Sequence, residues 1–281
     1  MVTVRDGTGM TENLIGLSTG ATVAVTDVGS GTPLVLLHGV CMSRHFFGRN
    51  IDALAADHRV VALDFRGHGA SPSSEGGHSI AGYARDVRAL IEHLELDDAV
   101  LLGWSMGSLV AWEYQRQFAE DPRLAGDVII SQGPSDLTQP DWPNGMVAPL
   151  ELGTYLEAAQ TDFRGFFAEF VPAMFKTQPT AAEQEAMVDA ICGIDPNAGA
   201  VILADQTLRD LRPVIPALEL PHLLVWGTDE GVIKQASGTW LAEHLPSGEL
   251  HVFEDSGHCP MWEEHERFNG LVAEWVAGLS R

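Results

Sequence analysis

Short apolar runs rich in β-branched residues alternate along this chain with segments of helical periodicity, and this alternation restricts the fold more than any other feature. Repeats of strand, helix and strand are typical of parallel sheets that helices cover on both faces. The clearest helical segments are 80–94 and 106–118. The predicted strands are 22–28, 33–37, 60–63, 99–102, 128–130, 222–226 and 249–253. The pattern therefore predicts an α/β protein with a mostly parallel, buried sheet.

The strand pattern stops between residues 133 and 212, where amphipathic and aromatic helical segments such as 163–175 replace it. Strands resume after this stretch, and a last helix is predicted at about 264–279. Because the sheet pattern continues on both sides, we interpret residues 133–212 as an inserted helical lid, or cap. The core of the domain would then consist of residues 1–132 and 213–281.

The charge and the cysteine content of the chain limit the kinds of partner and cofactor that we expect. The 281 residues include 39 acidic and 16 basic side chains, a formal net charge of −23, which repels phosphate backbones and anionic lipids alike. We therefore expect neither nucleic acid nor a membrane as partner. Cys41, Cys192 and Cys259 lack the C-x-x-C spacing of zinc and redox sites, and residues 1–16 lack the features of a signal peptide. We expect a cytoplasmic protein that needs no metal or cofactor; the oligomeric state stays open.

One sequence motif predicts a reactive side chain. The predicted strand 99–102 leads directly into Gly103-Trp104-Ser105-Met106-Gly107, and a helical pattern begins at once behind it. A serine at the apex of so sharp a turn adopts strained backbone angles, and glycine two positions away on each side removes Cβ atoms that would clash. Its hydroxyl then stands above the sheet edge at a helix N-terminus, which favours negative charge. The motif predicts that Ser105 is a nucleophile.

Acyl transfer also needs two N–H donors for the oxyanion that develops during attack. We predict the backbone N–H of Met106 as one donor. The second is predicted to be the N–H of Val40, because His38-Gly39-Val40 follows the strand 33–37 and places a glycine beside the expected site. The His38 side chain is interpreted as a structural hydrogen-bonding group.

Together, His38-Gly39, the segment 64–71, the Gly103 to Gly107 turn and Ser256-Gly257-His258 resemble the α/β-hydrolase superfamily. The resemblance covers essentially the whole chain and implies an eight-stranded, mostly parallel sheet with helices on both faces. Within the superfamily, the stretch 254–263 and the modest lid look most similar to small bacterial esterases, lactonases and cofactor-free haloperoxidase-like perhydrolases. In this superfamily a segment like 64–71 shapes a loop beside the site, so we interpret it as structural.

A nucleophilic serine requires an imidazole base and a carboxylate that fixes the imidazole tautomer. His258 follows the last predicted strand, on a loop whose glycine lets the ring reach over the strand ends, and it matches the family's histidine. The acid is expected after the strand 222–226, where the family usually has aspartate three positions beyond the glycine. That position holds Glu230, which we favour over the alternate Asp229. Asp136 ranks third.

The substrate pocket is predicted around these groups and on the lid. Its predicted residues are Gly39, Trp104, Met261, Trp262, Trp142 and Phe167. Ser105 excludes haloalkane dehalogenases and epoxide hydrolases, which need aspartate at the same place. We predict hydrolysis of a small carboxylic ester or lactone through an acyl-Ser105 intermediate. Carbon–carbon bond hydrolysis, thioester hydrolysis and perhydrolysis use the same triad and stay open, and the scaffold also hosts cofactor-free oxygenases and ligand receptors.

Overall fold

A nine-stranded sheet forms the centre of the computed structural model, which describes residues 3–5 and 11–279. The spatial order of these strands is β1-β2-β3-β5-β4-β6-β7-β8-β9. The strands are β1 (Thr3–Arg5), β2 (Thr11–Gly16), β3 (Thr22–Gly29), β4 (Pro33–Leu37), β5 (Arg59–Asp64), β6 (Ala99–Trp104), β7 (Leu124–Ile130), β8 (His222–Gly227) and β9 (Gly248–Phe253).

The sheet is antiparallel at one edge and parallel elsewhere. Strands β1, β2 and β3 pair antiparallel, as do β3 and β5, whereas every pair from β5 to β9 is parallel. Strands β2 to β9 form the predicted eight-stranded, mostly parallel sheet, and the three-residue β1 extends it. The central strands β4 and β6 are buried along their whole length, as expected where helices cover both faces of a parallel sheet.

Helices pack around this sheet. Helix α2 begins at the cap Ser79, whose Oγ accepts from Gly82 N at 3.0 Å, and packs against α3. Helix α8 packs against β8 and β9, at the edge of the sheet that β9 forms. The helices are α1 (Ile51–Leu54), α2 (Ile80–His93), α3 (Met106–Gln117), α4 (Leu152–Thr161), α5 (Phe163–Ala173), α6 (Ala181–Ile191), α7 (Pro196–Thr207), α8 (Gln235–His244), α9 (Pro260–Glu263) and α10 (His265–Gly278), with 3₁₀ turns at Arg44–Phe47 and Ile215–Ala217.

Four of these helices, α4 to α7, lie between β7 and β8, within the stretch predicted as an insert. Capping side chains fix where three of them begin. Asp162 accepts from Gly165 N at the start of α5, Thr180 forms a capping box with Glu183 at α6, and Asp195 caps α7. Helix α5 packs on α6, and α4 packs on α7. We refer to residues 133–212 as the helical insert.

Helices α6 and α7 of the helical insert follow one another with only a short break between them. Within the described residues, no single helix combines the length and apolar character that a membrane span requires. Helices α6 and α7 meet those criteria only as a pair, and the pair is bent by 92° at its junction.

The carboxyl ends of the parallel strands meet at one edge of the sheet, and the candidate residues follow these ends. Val40 comes after β4, Ser105 after β6, Glu230 after β8 and His258 after β9. In open α/β sheets, ligand sites form at this carboxyl edge. The fold therefore brings four distant chain segments to one place.

Candidate active site

Ser105 occupies a strained turn between β6 and α3, with φ 51° and ψ −123°. L-residues rarely adopt such angles. A Cβ on Gly103 would lie 2.5 Å from the Gly107 carbonyl carbon, and a Cβ on Gly107 would lie 2.1 Å from Leu37 O. The Ser105 N–H donates to Ile130 O at 2.9 Å. Backbone contacts thus fix this serine in the geometry that the motif predicts.

Two backbone N–H groups lie buried beside the turn. Val40 is 5% exposed and Met106 is fully buried, and within the described ranges neither backbone N–H has a hydrogen-bond partner. Buried N–H groups are almost always paired in folded proteins. A Cβ on Gly39, next to Val40, would lie 3.3 Å from the Trp104 ring, so the loop after β4 packs directly on the serine turn. These two donors are available to an anionic oxygen.

The His38 side chain supports this loop. Its Nδ1–H donates to Gly39 O at 2.8 Å, and its Nε2 accepts from Phe65 N at 3.1 Å. Burial lowers the pKa of His38 to about 3, against the opposing effect of the Gly39 carbonyl. His38 is therefore neutral and has both ring nitrogens occupied, in keeping with a structural role.

Asp64, at the start of the segment 64–71, also contacts the chain that follows β4. Its carboxylate forms a fully buried ion pair with Arg44 and also accepts from the Arg44 N–H at 2.7 Å and from Ala70 N at 2.9 Å. A Cβ on Gly69 would lie 2.3 Å from Asp64 Oδ2, so this close approach requires glycine. The segment braces the loop that carries Val40.

Glu230 and His258 form a buried pair. The Nδ1 atom of His258 lies 3.1 Å from each Glu230 carboxylate oxygen, and both side chains are 1% exposed. Glu230 Oε1 also accepts from Val232 N at 2.9 Å and Ile233 N at 3.0 Å. Burial raises the pKa of Glu230, but the charge and hydrogen bond of His258 and the two N–H groups outweigh it, so the pKa lies below its ordinary value.

The two alternative acids have other hydrogen-bonding partners. The Asp229 side chain is 54% exposed and forms an ion pair with Lys176 at 2.9 Å. Asp136 is buried and accepts from Gln132 Nε2 and Gln206 Nε2, each at 2.7 Å; burial raises its pKa. Within the described residues, neither carboxylate hydrogen-bonds to His258.

A hydrogen bond links His258 to the residue that precedes Ser105. The Trp104 Nε1–H donates to His258 O at 2.9 Å, and the two rings lie 5.8 Å apart. Ser105 is 6% exposed, and its hydroxyl makes no hydrogen bond within the described part of the chain. A direct Ser105–His258 hydrogen bond is therefore not formed in this structure. Such bonds are often long in unliganded enzymes and tighten when substrate binds.

Met261 and Trp262 follow His258 on α9. Met261 is fully buried, whereas Trp262 lines a cavity of about 350 Å³ that opens between the core and α6. Phe46 lines the same cavity and stacks on Trp104, with ring centroids 5.1 Å apart. The guanidinium of Arg49 lies 4.4 Å from the centroid of the Trp262 ring. Phe46 therefore connects this cavity to Trp104, the residue that precedes Ser105.

The two pocket residues predicted in the helical insert have different surroundings. Phe167 packs against Phe163 at 4.9 Å, and a Cβ on Gly199 would touch both the Phe163 ring at 2.5 Å and Cys41 Sγ at 3.4 Å. The Phe167 cluster thus reaches the residue after Val40. Trp142 instead packs edge-on against Trp240 of α8, with centroids 5.4 Å apart, which is a contact between the insert and the core.

Sequence reasoning missed the contacts that hold the histidine loop. The His258 N–H donates to Met174 O at 2.7 Å, at the end of the α5 segment. The Gly257 N–H donates to Glu263 Oε2, also at 2.7 Å. The available signal is weak: Glu263 is an acidic residue that follows the largely apolar stretch Cys259 to Trp262.

Comparison with known proteins gives a consistent result. A profile of the alpha/beta hydrolase family matches residues 34–271. A pimeloyl-acyl-carrier-protein methyl ester esterase from Aeromonas hydrophila is 29% identical over 265 residues, which cover 90% of this chain and 99% of the relative. An esterase from Exiguobacterium antarcticum superposes with a TM-score of 0.89 at 24% identity, covering 95% of this chain and 99% of that one. The esterase RhEst1 from Rhodococcus sp. ECU1013 superposes with a TM-score of 0.82 at 26% identity, covering 96% and 99%. The chain belongs to the α/β-hydrolase family.

Proposed function

We propose that the chain is a serine hydrolase that cleaves a carboxylic ester or lactone through an acyl intermediate on Ser105. The observation that carries this proposal is the buried Glu230–His258 pair, which a hydrogen bond from Trp104 links to the strained turn of Ser105. Nucleophile, base and orienting acid then share one sheet edge. The Aeromonas hydrophila relative and RhEst1 are both described as esterases, which supports the ester class.

In the first half of the reaction, the Ser105 hydroxyl turns toward the imidazole when substrate binds. Because Nδ1 of His258 donates to Glu230, Nε2 is left to accept the hydroxyl proton as Oγ bonds the carbonyl carbon. The carbonyl electron pair moves to oxygen, where the N–H groups of Val40 and Met106 donate to the anion. Losing one such donor typically costs about 2.7–4 kcal/mol of transition-state stabilisation.

The tetrahedral intermediate then collapses, which completes the first half. His258 returns its proton to the leaving alkoxide oxygen as the carbon–oxygen bond breaks, which leaves the acyl group on Ser105. In the second half, water attacks the acyl carbon with His258 as base; the carbon–Oγ bond then breaks as His258 returns the proton to Ser105 Oγ, and the carboxylic acid is released. Since its pKa lies below the ordinary value, Glu230 stays ionised and stabilises the imidazolium in both halves. A lactone follows the same steps and yields one hydroxy acid.

We further propose that the helical insert acts as the lid of this site and supplies part of its pocket. The contact of the Phe163 and Gly199 region with Cys41 places insert side chains against the loop that carries Val40. The insert is attached to the histidine loop as well, through Met174. The buried state of Ser105 is consistent with a site that the insert covers.

A fluorophosphonate probe and a substrate panel test the proposal. Wild-type protein should be labelled at Ser105 and should hydrolyse p-nitrophenyl esters, aliphatic lactones or acyl-homoserine lactones. Ser105→Ala should abolish labelling and reduce kcat by roughly 10³-fold or more. Tight ligand binding without labelling would instead identify a receptor, and oxygen consumption without hydrolysis an oxygenase. Diketone cleavage or peroxide-dependent turnover, lost in Ser105→Ala, would reassign the reaction but keep the nucleophile.

A further inference from the structure

Three hydrogen bonds hold the backbone around His258. Its carbonyl accepts from Trp104 Nε1 at 2.9 Å, and its N–H donates to Met174 O at 2.7 Å. The N–H of the preceding Gly257 donates to Glu263 Oε2 at 2.7 Å. Trp104 belongs to the serine turn and Met174 to the helical insert. Glu263 is the carboxylate among these partners.

The second oxygen of Glu263 reaches the insert. Glu263 Oε1 accepts from Thr177 N at 2.8 Å, and Thr177 lies between α5 and α6. One half-buried carboxylate therefore joins the histidine loop to the insert. Burial raises the pKa of Glu263, while hydrogen bonds from the backbone N–H groups of Thr177, Gly257 and Lys176 act in the opposite direction.

The loop and the insert are also in close steric contact at this point. A Cβ on Gly257 would lie 2.8 Å from Met174 O and 3.0 Å from Lys176 N. Close-packed elements of this kind transmit displacements, because no void is available to absorb them. A change in the Glu263 bridge therefore moves the peptide that carries the catalytic imidazole.

We infer that Glu263 is a positioning residue for His258. Its carboxylate fixes the position of the Gly257–His258 peptide relative to the insert. This position in turn sets the distance from the imidazole to the Ser105 hydroxyl. This inference rests on the proposed function, in which that distance must shorten to a hydrogen bond. A misplacement of about 1 Å at a catalytic group can cost about 10²-fold in rate.

Glu263→Gln tests this role at constant side-chain size. The amide keeps one acceptor oxygen but turns an NH₂ group toward either Gly257 N–H or Thr177 N–H, so one hydrogen bond is lost and two donors face each other. We expect kcat to fall about 10- to 100-fold, with KM within about twofold of wild type. Glu263→Asp, which keeps the charge but has a shorter reach, should give an intermediate loss. Glu266→Gln removes the same charge from an exposed position on α10 and should leave both constants unchanged.

The low-field proton NMR signal of the His258 Nδ1–H group provides the second readout. It should shift or broaden in Glu263→Gln and stay at its wild-type position in Glu266→Gln, while thermal unfolding shows both variants folded. If Glu263→Gln does not fold, Glu263→Asp takes its place in both assays. Wild-type kcat together with a wild-type Nδ1–H signal in the folded variant would overturn the inference. Failure of the proposed function is a separate result: wild-type protein would resist the fluorophosphonate, and the NMR comparison would still be interpretable.

Discussion

Two buried carboxylate–histidine pairs lie at opposite ends of β8. At its carboxyl end, Glu230 lies 3.1 Å from His258, and at its amino end, His222 lies 3.6 Å from Asp127 of β7. Asp127 and His222 are direct partners in the register of the sheet, and both side chains are fully buried. The residue types and the burial are alike, yet the pKa values of the two carboxyl groups shift in opposite directions.

Hydrogen-bond donors around the carboxylate explain the difference. Asp127 Oδ2 accepts from Gln115, whereas its Oδ1 has no partner among the described residues. Burial raises the pKa of Asp127 to about 7, against the effect of Gln115. Glu230 has two backbone N–H donors and the imidazole, and its pKa falls instead. Burial alone thus favours the protonated acid, and surrounding N–H groups make the carboxylate anionic.

The two histidines also differ in their hydrogen-bond partners. His222 Nδ1–H donates to Leu220 O at 2.6 Å, its Nε2 accepts from Gln115 at 3.3 Å, and burial lowers its pKa to about 4. This ring is neutral and fully engaged. His258 instead directs Nδ1 at the Glu230 carboxylate. A carboxylate beside a histidine is therefore a candidate catalytic pair when the carboxylate is held ionised.

The largest expected effect comes from neutralising the ionised pair. Glu230→Gln should reduce kcat by about 10³- to 10⁴-fold, because the group that sets the tautomer and stabilises the imidazolium is lost. Asp229→Asn, one residue away and exposed, is the matched control and should retain activity within about threefold, since an exposed ion pair contributes little. Hydrolysis of a p-nitrophenyl ester measures both. Equal, mild losses would contradict the assignment of Glu230 as the acid.

An intermediate effect, on stability alone, is expected from Asp127 at the amino end of β8. The folded-state pKa of Asp127, about 7, exceeds its ordinary value of 3.8, so folding retains a proton that the unfolded chain releases. The free energy of unfolding should therefore fall as the pH rises from about 4 to 7. Asp127→Asn removes this loss, so its Tm relative to wild type should be higher at pH 8 than at pH 5, by about 3 °C or more.

Activity is the control for that variant. Asp127→Asn should leave kcat/KM unchanged at pH 8, because the residue lies at the opposite end of β8 from Glu230. A Tm difference that is the same at pH 5 and pH 8 would show that Asp127 is ionised throughout. The distinction drawn between the two pairs would then be wrong.

The smallest effect is expected from the exposed ion pair beside Glu230. Lys176 contacts Asp229 at 2.9 Å and Asp255 at 3.4 Å, with all three side chains at least one-third exposed. Exposed pairs contribute about 0–1 kcal/mol. Lys176→Met should therefore change the free energy of unfolding in urea by no more than about 1 kcal/mol. A larger loss would mean that charge outside the buried pair also stabilises this end of the sheet.

Sequence reasoning located the serine turn because its determinants are local. The glycines at 103 and 107 are needed within the motif itself, and the strand that precedes it is continuously apolar. Glu230 was predicted from the family resemblance, in which the acid lies three positions after the glycine that ends β8. In contrast, β2 was not located: it lies beside the short edge strand β1 and is buried on one side only, with Leu14 39% exposed and Ile15 3% exposed.

The bridge through Glu263 could not be predicted from the sequence. Its partner Thr177 lies 86 positions away in the chain, and the two meet through the packing of the insert on the histidine loop. Trp142 illustrates the same limit, because an aromatic residue in a helical region can pack against α8 as readily as it can line a pocket. Local periodicity carries no information about such long-range partners.

The pairing of β7 with β8 has a consequence for how such enzymes diversify. Ile130 and Val225 are neighbours in the sheet, although the entire insert separates them in the chain. The entropic cost of closing a chain loop rises by only about 0.6 kcal/mol for each doubling of its length. Segments of very different length can therefore be accommodated between these two strands with little thermodynamic penalty. Members of a family with this strand pairing can thus differ in the inserted segment, and so in the substrate it contacts, while the strands that position the reacting groups keep their register.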